Sequence, residues 1–253
     1  IRALLGRPAA ETNGKLPTSD NAWLVNTGSR IVLVDAGAGR TMGPGLGKVV
    51  SNLRAAGYSP ERIDDVVITH MHGDHIGGLV DAAGKLVFPR ATIHVAKADS
   101  DFWLSEEVAA KMPAELAAYF KFIRELVAPI RAAGRFKPFT SGNFPIAGIR
   151  PLPIPGHTPG HTAWEIKSGT ASLVIVGDMI HVQAVQFSRP DVTLEYDADR
   201  NLAAATRLAF FRNAARDNTL LAGSHIAFPG IGHVRKADAT RFVWEPQVLP
   251  ALP

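Results

Sequence analysis

Apolar residues in this chain come in short runs broken by turn-forming residues, and the spacing within each run predicts an α/β fold. Residues 22–26 and 30–34 read as two strands joined across Thr27-Gly28-Ser29, a hairpin-type connection. Residues 47–56 read as a helix ending near Gly57, and the apolar run Val66-Val67-Ile68 places a strand at 64–69. A further strand is expected at 92–95, with helices at 97–104 and 113–133. In the last of these, Leu116, Phe120, Ile123 and Val127 recur at three- and four-residue steps, as one face of a helix does, and Pro129 is expected to kink or shorten it. The second half repeats the order, with strands near 149–154, 163–167 and 173–176, a helix near 199–215 and a strand at 219–222. No linker or low-complexity tract separates the halves. The expectation is one domain over 1–253 with pseudo-symmetric halves of about 1–140 and 141–253.

The strand at 64–69 runs straight into Thr69-His70-Met71-His72-Gly73-Asp74-His75. His70 and His72 are two apart, so on extended backbone their side chains project the same way. Gly73 lets the chain turn and aim Asp74 and His75 differently. Three imidazoles and a carboxylate laid out in this way suit two adjacent divalent metals better than one. Four ligands cannot close two metal shells and still leave an open position. Further donors are therefore sought downstream, and His157, Asp178 and His225 each end an apolar or extended segment, as the first cluster does. His161 rivals His157 within one loop. His157 is preferred because it follows the extended 151–155 segment, and His161 is assigned a structural role in the next turn.

These seven positions resemble the pattern of the metallo-β-lactamase superfamily, a His-x-His-x-Asp-His motif followed by separate His, Asp and His ligands. The resemblance implies an αββα sandwich, two mixed sheets flanked by helices, with a dinuclear site at the shared edge of the sheets. It also implies that one ion takes His70, His72 and His157, the other takes Asp74, His75 and His225, and Asp178 bridges them. Imidazole and carboxylate donors without thiolate fit Zn2+, though Fe, Mn and Co also accept them. Two ions sharing a water lower its pKa and yield a hydroxide nucleophile that Asp74 can orient. Asp35, in Val32-Leu33-Val34-Asp35-Ala36-Gly37, is expected either to accept an imidazole N–H behind the metals or simply to cap a turn.

Leu24-Val25-Asn26-Thr27-Gly28, Asp101-Phe102-Trp103-Leu104, Ala184-Val185-Gln186-Phe187 and Phe228-Pro229-Gly230-Ile231-Gly232-His233 are similar to the methyl parathion hydrolase group, which includes phosphotriesterases and lactonases such as dihydrocoumarin hydrolase. The phosphotriesterase members carry an aliphatic residue three places after the bridging Asp. This chain has His181 there, which favours the lactonase members. By this resemblance Met42, Trp103, Tyr119, Phe120 and Phe187 wall the substrate site, although adjacent Tyr119 and Phe120 cannot both face it. His181 is a candidate hydrogen-bond donor to the leaving oxygen. The expected activity is opening of lactones or aryl esters, with organophosphate triester hydrolysis as a side reaction. The alternatives are a primary phosphotriesterase, or an acyl-homoserine lactonase or glyoxalase-II-like thioesterase. A di-iron redox protein is disfavoured because position 72 is His rather than Glu, and a non-catalytic relative because the donor set is complete.

Composition removes other classes. With 46% hydrophobic residues the chain can bury a large core, and no apolar run approaches the roughly 18 residues of a membrane helix. A formal net charge of +4 with no dense Lys/Arg block gives nucleic-acid binding little support. The absence of cysteine excludes disulfides and thiolate ligands and leaves the compartment open between exported and cytoplasmic. His94 and His233 have no partner pattern and are read as structural. The resemblance further implies a homodimer and a β-hairpin preceding Ile1.

Overall fold

The computed structural model of the chain describes residues 16, 18–43, 45–140, 142 and 144–248. These fall into two compact units. The first comprises Ala22–Ala147 and Pro159–Thr162, and the second comprises the described residues of Ile1–Asn21, Gly148–Thr158 and Ala163–Pro253.

In the first unit β1 (Trp23–Asn26) and β2 (Ile31–Val34) form the expected hairpin. β2 then pairs in parallel with β3 (Asp65–Val67), β3 with β4 (Thr92–Ala96), and β4 with β5 (Phe136–Phe139). Helices α1 (Val49–Ala55), α2 (Gly73–Ile76), α3 (Lys97–Trp103), α4 (Glu106–Ala110) and α5 (Ala114–Ala132) connect the strands. α4 begins where the Ser105 hydroxyl accepts the Val108 N–H, a side-chain N-cap. The strand before the histidines is shorter than expected, ending at Val67 rather than Thr69. Its ladder stops because the Thr69 N–H is taken by the Asp35 carboxylate instead of a neighbouring strand.

α5 keeps its expected bounds to within one residue and departs from expectation in two particulars. Pro129 does not shorten it: the helix continues to Ala132, and buried Ile130 anchors the turn beyond the proline. The buried stripe is Phe120, Ile123, Leu126, Val127 and Ile130. Leu116, expected on that face, is exposed, because the whole first turn lies in solvent before the stripe reaches the core.

In the second unit six strands lie side by side in chain order. The strands are β6 (Ile149–Pro153), β7 (Thr162–Ser168), β8 (Ala171–Ile175), β9 (Leu220–Ala222), β10 (Ile231–Lys236) and β11 (Phe242–Pro246). β8 and β9 are parallel, while β7–β8, β9–β10 and β10–β11 are antiparallel. A short helix α6 (Gln183–Gln186) and the long α7 (Arg200–Asp217), capped by the Asp199 carboxylate on the Leu202 N–H, complete it. β5, β10, β11, α4 and α6 were not anticipated from the residue pattern. The chain is therefore α/β, with two mixed sheets flanked by helices. No helix among the described residues is long and apolar enough to cross a membrane.

A polar triad with two buried members, Asp65 and His94, and the exposed Arg30 braces the first sheet. Asp65 accepts from Arg30 Nε at 2.6 Å and meets His94 Nε2 at 2.8 Å. Burial alone would raise the Asp65 pKa, but hydrogen bonds from His94 and Arg30 hold it below the ordinary carboxylate value. Its contribution to stability is therefore present above the unfolded-state pKa and is lost as pH falls through the lower folded-state value. Asp65→Ala is expected to cost about 2–3 kcal/mol at pH 7, by leaving buried His94 unmatched. The gap from wild type in urea unfolding should narrow once the pH drops below roughly 4. A gap that stays constant with pH would remove the carboxylate from this role.

Candidate metal centre

In each unit donors leave the carboxyl ends of adjacent parallel strands, where open α/β sheets place their ligands, while His157 follows the edge strand β6. Val34 of β2 is in register with Val67 of β3, so Asp35 and the segment from Thr69 to His75 emerge side by side. Ile175 of β8 is in register with Ala222 of β9, and Asp178 and His225 each follow three residues later.

In the first unit His70 Nε2 lies 3.0 Å from His72 Nδ1, with the rings edge to face. Asp74 Oδ2 lies 3.7 Å from His75 Nε2. Two ligands held at zinc distances on a tetrahedron sit about 3.3 Å apart, so both pairs have the spacing of donors sharing an ion. Behind them Asp35 accepts from the Thr69 N–H and hydroxyl, each at 2.8 Å, and from His75 Nδ1 at 2.9 Å. That bond fixes the His75 tautomer and turns its Nε2 lone pair away from Asp35. Asp35 thus ends the strand and orients an imidazole at once. It does so at φ 59°, in the left-handed region.

The expected aromatic wall is sorted by burial. Trp103 is buried with its ring edge-on to His72 at 5.3 Å. Tyr119 accepts the Gly73 N–H on its hydroxyl at 2.7 Å, and its ring lies 6.0 Å from His72. Phe120 is fully buried between Phe102 and Trp103 and is a core residue, so of the adjacent pair only Tyr119 reaches the histidine segment. Met42 is exposed. His161 is buried with its ring 5.1 Å from that of His70.

In the second unit three imidazoles converge on one oxygen. Asp178 Oδ2 lies 3.4 Å from His157 Nε2, 2.9 Å from His181 Nε2 and 3.1 Å from His225 Nε2. His157 is anchored by Nδ1 to Asp197 Oδ1 at 2.8 Å, and His225 by Nδ1 to the Ser19 carbonyl at 2.7 Å. Both therefore present Nε2, as His75 does. Burial alone would depress His157, but the Asp178 and Asp197 carboxylates raise its pKa overall. Burial alone would raise Asp197, and hydrogen bonds from His157 and the Leu194 N–H bring it below its ordinary value.

His181 is held differently. Burial pushes its imidazole down to about 4, against the pull of Asp178. The neutral ring stacks on His225 with centroids 5.1 Å apart, and its Nδ1 is buried with no hydrogen-bond partner. Its backbone N–H and that of Val182 both donate to Gln186 Oε1, on a side chain that is itself fully buried. A cleft of about 470 Å3 is lined by His181, His225, Val182, Phe187, Val243 and Trp244 among others. Phe187 is mostly packed between Phe211 and Trp244.

Three participants escaped sequence reasoning. Asp197 stands among Glu195, Asp191 and Asp199, with nothing in the pattern to single it out. Ser19 contributes only a backbone carbonyl. Tyr196, largely exposed, lies over His181 and His157 with centroids at 5.2 and 6.1 Å. His94 and His233 pair with Asp65 and the Thr219 carbonyl, as structural residues do.

The model of the metallo-β-lactamase superfamily matches residues 17–225. The chain belongs to that superfamily. It is similar in sequence to a "Probable metallo-hydrolase" of Mycobacterium tuberculosis (strain ATCC 25618 / H37Rv), 28% identical over 218 residues, 77% of this chain and 66% of the relative. The chain thus spans about two thirds of the length of that curated relative. Among solved structures it resembles hydrolase AbOPH of the β-lactamase superfamily, with TM-score 0.90 and 37% identity over 99% of this chain and 88% of that one. It also resembles AidC, a dizinc quorum-quenching lactonase in complex with a hexanoyl-homoserine product, with TM-score 0.88 and 30% identity over 99% and 86%. In family and fold this metallo-β-lactamase superfamily member stands with metal-dependent hydrolases.

Proposed function

We propose that this chain is a dinuclear-metal hydrolase that opens lactones and aryl esters, with organophosphate triesters as side substrates. The observation that carries it is the convergence of His157, His181 and His225 on Asp178 Oδ2, with Asp197 and Ser19 behind. Such anchoring makes imidazoles into oriented ligands rather than surface polar groups. His70, His72 and His157 with Asp178 would hold one ion, and Asp74, His75 and His225 with Asp178 the other. Zn2+ fits the imidazole and carboxylate donors. Two such ions would supply Lewis acidity and lower the pKa of water held between them.

The remaining roles fall to side chains. Asp74 orients the attacking water, and neutral His181 donates a hydrogen bond to the leaving oxygen after releasing Asp178. The cleft beside His181 and His225 takes the apolar arm of the substrate, with the Tyr196 ring over its polar end. The likeness to AidC supports lactones, N-acyl homoserine lactones included.

Parallel turnover of dihydrocoumarin, N-hexanoyl homoserine lactone and methyl parathion by zinc-loaded protein, with a chelator-stripped control, tests this. Chelator-sensitive lactone turnover well above the phosphotriester rate is expected. Dominant phosphotriester turnover would move the primary substrate to that class, and turnover insensitive to chelation would end the metal mechanism.

A further inference from the structure

Asp99, on α3, has a carboxylate that is fully buried and is not one of the seven donors proposed for the metals. Its two oxygens accept backbone N–H groups from two distant segments. Oδ2 takes the N–H of Met71 at 2.8 Å, and Oδ1 takes that of Gly160 at 2.7 Å. Met71 separates His70 from His72, and Gly160 lies between His157 and His161. One side chain therefore ties both histidine-bearing segments.

Close packing makes the tie specific. A Cβ on Gly160 would meet Asp99 N at 2.3 Å and Asp99 Cβ at 2.8 Å, so this loop runs directly against α3 only because position 160 is glycine. A second bond, Thr162 N–H to the Thr69 carbonyl at 2.9 Å, joins the same two segments a few residues on. A carboxylate suits the position because it only accepts, and its two oxygens face two donors. Asn would offer one oxygen and turn its NH2 on the other N–H. Charge-assisted bonds to backbone N–H groups are also strong enough to offset burial of a carboxylate.

We propose that Asp99 is a positioning residue for the metal centre, registering the segment of His70 and His72 against the Pro159–Thr162 segment that follows His157. The proposal rests on His70, His72 and His157 serving as metal ligands. Asp99 touches neither metal nor substrate in this role; it acts through the backbone that aims the imidazoles.

Asp99→Asn is expected to weaken Co2+ binding about 10- to 100-fold in competition with a chelator, the range typical of outer-shell partners. The visible spectrum of the Co2+-loaded variant should also shift. Ser105→Ala, which removes the α4 cap, serves as the control: it should lower the Tm and leave Co2+ affinity and spectrum unchanged. A folded Asp99→Asn variant with wild-type affinity and spectrum would overturn the proposal. Should that variant not fold, amide exchange in the wild-type holoprotein decides. Met71 and Gly160 N–H groups losing protection together as metal is stripped would support the tie, and independent exchange would overturn it. Wild-type protein that binds no Co2+ would overturn the metal assignment as well, whereas metal binding without ester hydrolysis would leave this inference intact.

Discussion

Asp178→Ala is expected to lower kcat/KM for the best lactone by about 10³-fold or more, a loss of roughly 4 kcal/mol of transition-state stabilisation. Metal content should fall at the same time. The side chain is buried, and three imidazole nitrogens lie within 3.4 Å of its Oδ2. Truncation removes the proposed bridge and leaves the His181 Nε2–H without its acceptor. Asp178→Asn keeps the shape and one neutral oxygen, so it should retain more metal than the alanine variant while still losing most turnover. Steady-state kinetics beside metal analysis of the same preparations checks both. Full metal content with full turnover in the alanine variant would sink the assignment of Asp178.

The second large effect is on stability. Arg207→Met is expected to cost about 3–5 kcal/mol, from interior carbonyls left unsatisfied at roughly 1–3 kcal/mol each. For a chain of this size that is a fall in Tm on the order of 10 °C. Arg207 lies on the buried stripe of α7, with Ala203, Phe211 and Ala214, where a helix of this kind would otherwise carry an apolar residue. Its guanidinium donates to the carbonyls of Met179 at 2.7 Å, Pro190 at 2.8 Å and Val192 at 2.9 Å. The methionine chain fills part of the space and satisfies none of those acceptors. Met179 is next to Asp178, and the Val192 carbonyl also accepts from Gln186, the side chain that holds the His181 backbone. Activity measured on the folded variant should therefore fall too. An unchanged melting curve would show that the three carbonyls find other partners.

What the sequence made legible was local. The hairpin at Thr27-Gly28-Ser29, the strand leading into His70 and the helix ending near Gly57 all follow from period and turn chemistry within a few residues. The donor residues were visible because imidazole and carboxylate at the end of an apolar run is a rare composition. The strands at Phe136–Phe139 and Phe242–Pro246 were not, since both contain proline and lie at sheet edges, where pattern is weakest. Phe120 was legible both as part of the apolar helix face and as a wall residue, because an aromatic beside Tyr119 has the same pattern whether it faces a substrate or Trp103. The anchors behind the donors were hidden for a different reason. Asp197 lies 40 residues from His157, and Ser19 lies 206 from His225, through a carbonyl that every residue possesses. Only folding chooses among them.

Asp35 has one more implication, for anyone who sets out to make this protein tougher. A non-glycine residue at φ 59° costs on the order of 1–2 kcal/mol, and glycine would relieve that strain. The same residue supplies the oxygens for Thr69 and His75. Screening for heat resistance and screening for turnover therefore pull position 35 in opposite directions. A thermostabilisation campaign should hold it fixed and look for its gains elsewhere in the two cores.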